Sequence, residues 1–225
     1  LGAKVLEIGC GWGGIAERLA ARACHVVGLT LSPSQLAYAR ERLHAIGCAA
    51  QADLRLQDYR DTTGTFDRII SIEMLEAVGE RYWGAYFDAI RARLKPAGRA
   101  VLQVITIAED RFESYKRAPD FIQRYIFPGG MLPTNSVMRR EIARAGLCVR
   151  SLETFGASYA RTLAEWRRNF LQAWPDIAEM GFPERFRRMW EYYLHYCEGG
   201  FRAGAIDVGL WCIERADQPA LEGAV

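Results

Sequence analysis

The stretch VLEIGCGWGG at residues 5–14 puts an acid and four glycines where a chain leaves a strand and enters a helix. Val5, Leu6 and Ile8 suit a strand buried on both faces, and Gly9, Gly11, Gly13 and Gly14 give a bend at which backbone can approach a ligand closely. Glycine spacing alone leaves two nucleotide readings open, because Gly9, Gly11 and Gly14 also satisfy a dinucleotide fingerprint. That fingerprint wants an acid at the end of the second strand, about 20 residues on. The chain reads GLTLS there, at residues 28–32, with no carboxylate. Glu7, two residues before Gly9, fits instead the E-x-G-x-G pattern of S-adenosylmethionine sites. Such a ligand carries an amino group, a carboxylate and a sulfonium but no pyrophosphate, and a cationic ligand explains an acid inside the loop. A glycine turn that only packs a helix on a sheet is the plainer alternative.

The elements that must hold this bend alternate strand and helix through the first half, which argues for a mainly parallel sheet with helices on both faces. Strands are expected at residues 4–8, 25–30, 53–56, 66–72 and 99–107, and helices at 12–22, from Ser32 to about residue 46, and at 82–94. Ser32-Pro33-Ser34-Gln35 combines an N-cap serine, a proline at the first helical position and a glutamine at the third. Pro96-Ala97-Gly98 is expected to end the helix before the fifth strand. In an open sheet of this kind ligands sit beyond the carboxyl ends of the strands. Glu7, Thr30, Asp58, Glu76 and Gln103 all end or follow such strands.

The second half departs from this alternation. Residues 109–134 carry Tyr115, Phe121, Tyr125, Phe127 and the turn Pro128-Gly129-Gly130 between two strand-like regions. A connection of that length is usually a lid or binding wall, with extra core as the alternative. Helices are expected at 136–145, 163–174 and 183–197, and strands at 148–155 and 206–214. Arg161, Arg167, Arg168, Arg185, Arg187 and Arg188 make a local basic surface of a kind that meets lipid phosphates or is simply solvated. With 29 Lys plus Arg against 27 Asp plus Glu, no global field points to nucleic acid. The 225 residues suit a single domain. Six cysteines without a C-x-x-C pair, and only three histidines, predict free thiols and no metal. Without a long apolar run or a signal-peptide pattern, a soluble cytoplasmic protein is expected.

Further stretches, taken in order, carry a resemblance: GLTLSPSQ at 28–35, LQDYRD at 56–61, FDRIISIEMLEAVG at 66–79, RYIFPGGMLP, FGASYARTLAEW, and YYLHYCEGGFRAG at 192–204. With the first glycine bend, they make the whole chain resemble the cyclopropane-fatty-acyl-phospholipid synthase family of S-adenosylmethionine-dependent methyltransferases, related to the mycolic acid cyclopropane synthases. The resemblance implies a Rossmann-like class I methyltransferase. Its α/β fold would hold a seven-stranded, mainly parallel sheet with an antiparallel last strand, helices on both faces and a helical lid. The insertion at about 108–135 and the helices at about 160–200 would form the acyl pocket. It also implies that a segment preceding the first strand in the family, which supplies a cysteine and covers the cofactor, is missing.

By the same resemblance, the methionine end of S-adenosylmethionine lies along Leu6, Glu7, Ile8, Gly9, Cys10, Gly11, Trp12, Gly13 and Gly14. The ribose hydroxyls would meet Thr30, Leu31, Ser32 and Gln35, and Asp58, Tyr59 and Ile72 would wall the adenine. The implied reaction adds a methylene across the double bond of an unsaturated phospholipid acyl chain, at an inner membrane surface that the protein visits transiently; a homodimer is compatible with it. An alkene is a weak nucleophile, so the site must hold its π bond in line with the sulfonium methyl and keep water from a carbocation-like species. Aromatic faces and a carboxylate stabilise that charge. Ring closure needs a base, and the family is understood to use a bound bicarbonate. Glu76 matches its carboxylate anchor, Tyr159 the tyrosine that donates to it, and Ile105 a position whose backbone contributes. Cys197 corresponds to a cysteine proposed as a nucleophile, a role that transfer to an alkene does not require. Two positions depart from the pattern: Gln103 stands where many members have histidine, and Ala77 replaces the histidine after the glutamate. Glutamine donates a hydrogen bond but does not titrate. A relative that stops at methylation or takes another acceptor, and a fragment that only binds cofactor, are the competing readings.

Overall fold

The computed structural model describes residues 2–217. In chain order the elements are β1 (Lys4–Ile8), α1 (Gly14–Ala20), β2 (His25–Thr30), α2 (Pro33–Ala45), β3 (Ala52–Leu56), β4 (Phe66–Ile72), α3 (Leu75–Val78), α4 (Trp83–Arg93) and β5 (Leu94–Ile107). They continue with α5 (Phe112–Arg117), α6 (Phe121–Tyr125), α7 (Asn135–Arg144), β6 (Leu147–Thr154), α8 (Gly156–Gln172), α9 (Trp174–Glu179), α10 (Glu184–Arg202) and β7 (Ile206–Arg215). The seven strands form one sheet in the order β3-β2-β1-β4-β5-β7-β6. Strands β1 to β5 pair in parallel, and β7 lies antiparallel between β5 and β6.

Side chains alternate across a strand, so the sheet feeds cores on both of its faces. On one face Leu6, Ile8, Val27, Leu29 and Leu102 pack with Trp83, Phe87 and Ile90 of α4 and Met138 and Ile142 of α7. On the other, Val26 and Leu54 pack with Ala16 of α1 and Leu36, Ala39 and Leu43 of α2. Val208 packs with Ala160 and Leu163 of α8 and Leu194 and Phe201 of α10.

The first, second and fourth strands and the N-cap at Ser32 form where their apolar runs and cap signals put them. Several boundaries differ. The first helix begins at Gly14, not residue 12, because Gly11 and Gly13 hold the left-handed φ values of 50° and 81°. Pro96-Ala97-Gly98 does not separate helix from strand. Leu94 already pairs with Phe66, and Arg99 pairs with Arg68, so residues 95–98 loop out inside β5 opposite Asp67. The ion pair of Lys95 with Asp67, at 2.8 Å, closes that bulge. Helix α8 starts seven residues earlier than expected, where the Gly156 N–H donates to the Asp207 carboxylate at 2.9 Å. Helix α10 runs on through Gly199 and Gly200 to Arg202, and α9 had no separate signal in the sequence.

Candidate active site

Two cavities open beyond the carboxyl ends of the parallel strands. The larger, of about 720 Å³, is walled by Ile8, Gly9 and Gly11 after β1, by Thr30, Leu31, Ser32 and Gln35 after β2, by Asp58 and Tyr59 after β3, and by Ile72 at the end of β4. Leu29, Gln57, Arg60, Met74, Ala77, Val78 and Tyr82 complete it. Gly9 has φ 80°, and a Cβ there would stand 2.6 Å from Met74 Cγ, so backbone lines the wall where any side chain would intrude. The start of α2 is tied into one unit: Thr30 donates its hydroxyl to Gln35 Oε1 at 2.8 Å, and the Gln35 N–H donates to Ser32 Oγ at 3.3 Å. The Asp58 carboxylate accepts from Arg60 Nη2 at 2.8 Å and from the Arg60 N–H at 2.9 Å. The guanidinium holds the Asp58 carboxyl below the usual carboxylate range. Tyr59 is fixed edge-on against buried Tyr86, ring centres 5.5 Å apart.

Six residues of the expected cofactor set do not line this cavity. Leu6 and Cys10 are buried in the cores, Gly13 lies against Ala39, and Gly14 opens α1. Trp12 is exposed and packs edge-on to Tyr38. Glu7 is buried beneath the bend, because strand alternation turns it away from the face that Leu6 and Ile8 share and toward the Ala16 N–H of α1. Burial pushes its carboxyl up to about 8, against the partial opposition of that N–H. Between the ordinary glutamate value of 4.5 and about 8 the folded chain therefore holds a proton that the unfolded chain has lost. Stability then falls as pH rises through that window, by at most about 1.4 kcal/mol per pH unit. Glu7→Gln is expected to flatten this slope, so that its Tm gains on wild type from pH 5 to pH 8. Parallel pH profiles for the two proteins would contradict the assignment.

The second cavity, of about 240 Å³, lies among the insertion, α8 and α10. Its walls are mostly apolar or aromatic, with Ile105, Tyr115, Ile122, Phe127, Met131, Leu163, Trp166, Tyr193 and Phe201 among them. Ala77 lines both cavities, so the two meet along the segment that joins β4 to α4. At this seam stand two carboxyls. Pairing of β4 with β5 ends at Ile72 and Gln103, and Glu76 takes up the next N–H that β4 no longer reaches: Ile105 donates to Glu76 Oε1 at 2.6 Å. Burial pushes the Glu76 carboxyl up to about 7, assisted by the charge of Glu73 and opposed by the Ile105 N–H. Its Oε2 is buried with no hydrogen-bond partner among the described residues.

Glu73, which the sequence reading passed over, is the second carboxyl. Its Oε1 accepts from the Tyr159 hydroxyl at 2.5 Å and from Gln103 Nε2 at 2.6 Å. Glu73 also has φ 52°, a left-handed backbone that costs a non-glycine residue about 1–3 kcal/mol. Its N–H donates to the Gln103 carbonyl at 2.9 Å, which pins the turn. Glu73 and Glu76 form an i, i+3 carboxyl pair directly after a strand, and that spacing was the signal available in the sequence. The Tyr159 ring is held among Phe155, Trp166 and Phe201, and burial pushes its phenol far above the usual tyrosine range.

Cys197 lines the second cavity, one of six free thiols. Burial, with the charges of Asp120 and Glu73, pushes it up to about 12, so it stays a thiol near neutrality and lacks the thiolate a nucleophile needs. Cys197→Ala is expected to keep turnover within about threefold of wild type. A loss of orders of magnitude in a steady-state assay would restore the nucleophile. Of the six arginines of the basic surface, Arg167 pairs with Glu198, Arg168 with Glu165, and Arg187 with Glu184 and Glu191, so half of that charge is matched within the helices.

The profile of the mycolic acid cyclopropane synthetase family matches residues 1–211. A tuberculostearic acid methyltransferase of Mycobacterium tuberculosis is 42% identical over 97% of this chain and 51% of its own length. The cyclopropane-fatty-acyl-phospholipid synthase of Escherichia coli is 40% identical over 93% of this chain and 52% of its own. The chain thus spans about half the length of these curated relatives. Among solved structures, a mycolic acid cyclopropane synthase complexed with SAH and CTAB superposes with a TM-score of 0.87 at 28% identity, covering 95% of this chain and 78% of that one. The cyclopropane synthase MmaA2 from Mycobacterium tuberculosis gives 0.86 at 28% identity, over 94% and 78%.

Proposed function

This chain belongs to the mycolic acid cyclopropane synthetase family, whose relatives are S-adenosylmethionine-dependent methyltransferases, and on that footing we propose that it methylates the double bond of an unsaturated phospholipid acyl chain and closes a cyclopropane ring. The observation that carries the reading is the meeting at Ala77 of a glycine-walled cavity, edged by the polar side chains of Thr30, Ser32, Gln35 and Asp58, with an apolar, aromatic one that two carboxyls also line. The larger cavity fits S-adenosylmethionine. Gly9 and Gly11 admit its amino-acid end close to backbone, Thr30 to Gln35 face its ribose, and Asp58, Tyr59 and Ile72 flank its adenine. When bound, it supplies an electrophilic methyl group.

The chain's own residues do the rest. Ile122, Phe127, Met131 and Leu163 hold the acyl chain and exclude water from the alkene, within one domain whose pocket is built by residues 108–135 and 160–200. The faces of Tyr159 and Tyr193 and the carboxyl of Glu76 stabilise positive charge on the carbon chain. Bicarbonate, the base that the resemblance implies, does not fit these residues. The Ile105 N–H is given to Glu76 and the Tyr159 hydroxyl to Glu73, so an anion would find both of these donors taken and the Glu73 carboxyl beside them.

No helix among the described residues is long and apolar enough to cross a membrane. Exposed Tyr125, Phe127, Met180 and Phe182 supply apolar surface for peripheral contact with the bilayer that holds the substrate. A second reading, methylation without ring closure, is favoured by the 42% identity to a tuberculostearic acid methyltransferase. Mass spectrometry of phospholipids from cells making the full-length protein separates the two. A gain of one CH2 with loss of a double bond supports ring closure, and the same gain with the double bond kept supports the second reading. Unchanged lipids, with cofactor binding confirmed, would overturn both.

A further inference from the structure

We infer that Glu73 is the catalytic base of this chain, a built-in carboxylate in place of a bound anion. The inference rests on the proposed alkene methylation and deepens it, since that reaction must lose a proton whichever product forms.

Three observations converge on the side chain. Glu73 lines the acyl cavity together with Glu76 and Ala77, and Ala77 is the residue that this cavity shares with the cofactor cavity. Its Oε1 is oriented by two donors from separate elements, Tyr159 of α8 and Gln103 of β5, at 2.5 and 2.6 Å. Its backbone is held at φ 52°, a conformation that glycine adopts freely and glutamate does not, so the fold carries strain to keep an acid here. The two donors fix the carboxylate's position, and a glutamine at 103 serves where a titrating side chain would compete for the proton.

The step balances without another reactant. The alkene π pair forms the bond to the transferred methyl carbon, and the carbon–sulfur pair leaves with sulfur. A Glu73 carboxylate oxygen then takes a proton from that methyl group, and the freed C–H pair bonds to the cationic carbon and closes the ring. Glu73 ends the step protonated and passes its proton to water once the product has left.

The test compares full-length wild type, Glu73→Gln and Glu73→Gly in buffer stripped of carbon dioxide, with unsaturated phospholipid vesicles. Glycine suits φ 52°, so Glu73→Gly is expected to fold and to leave a space the size of a small anion. Wild type should turn over equally with and without bicarbonate, and Glu73→Gln should lose about 10²-fold or more. Glu73→Gly should regain activity with added bicarbonate or formate, and NMR should detect labelled bicarbonate bound to Glu73→Gly but not to wild type. Wild-type turnover that collapses without bicarbonate, or labelled bicarbonate bound to wild type, overturns the inference and leaves the proposed function standing. So does full turnover by Glu73→Gln. Wild type that modifies no acyl lipid removes the proposed function and this inference with it.

Discussion

Glu76→Gln is expected to lower turnover by about 10²-fold or more while cofactor affinity stays within a few fold. The glutamine can still accept the Ile105 N–H through its carbonyl oxygen, so the turn after β4 keeps its shape. What it loses is charge. Glu76 Oε2 sits buried and without a partner among the described residues, at the wall of the apolar cavity. Under the proposed function, a negative charge there, shielded from water, would stabilise the positive charge that develops on an acyl carbon. Because burial raises the Glu76 carboxyl to about 7, that charge is present above neutrality and lost below it. Wild-type turnover should therefore climb as pH rises through about 7, and the climb should be missing from the variant. Steady-state rates across pH, with calorimetric cofactor binding alongside, check both halves. Unchanged turnover in Glu76→Gln removes it from the mechanism.

Gly9→Ala is expected to cut affinity for S-adenosylmethionine by more than about tenfold. Gly9 holds φ 80°, a region that costs an L-residue about 1–2 kcal/mol. The added methyl would also lie 2.6 Å from Met74 Cγ, so the Met74 side chain, which lines the same cavity, must shift. The two effects act on the same wall, so binding suffers more than folding. Titration calorimetry on the folded variant measures the loss, and an affinity equal to wild type would separate the first glycine bend from the ligand.

Much of the framework was legible because its causes are local. Continuous runs such as VLEI and FDRIISI bound the central strands, and Ser32 with Pro33 marks the start of α2 as plainly in sequence as in structure. The start of the first helix is not legible because the sequence does not reveal that Gly11 and Gly13 turn left-handed, and Pro96 does not end a helix because Leu94 already pairs with Phe66 on a strand distant in sequence. The site divides in the same way. Ten of the sixteen expected cofactor residues line the larger cavity, since their places follow from strand ends. Glu7 was placed in the loop, whereas strand alternation turns it underneath. Glu73 was passed over because its role depends on Tyr159, 86 positions away, and on a backbone angle that no residue type announces.

In the proposed reaction the two cavities meet so that a sulfonium methyl faces an alkene beside Glu73 and Glu76. Its most direct test is a crystal structure of the full-length protein with S-adenosylhomocysteine. The nucleoside is expected along Thr30 to Tyr59, the amino-acid end at Gly9 and Gly11, and the sulfur at the Ala77 seam, open to the aromatic cavity. A ligand bound elsewhere, or a sulfur walled off from that cavity, would contradict it.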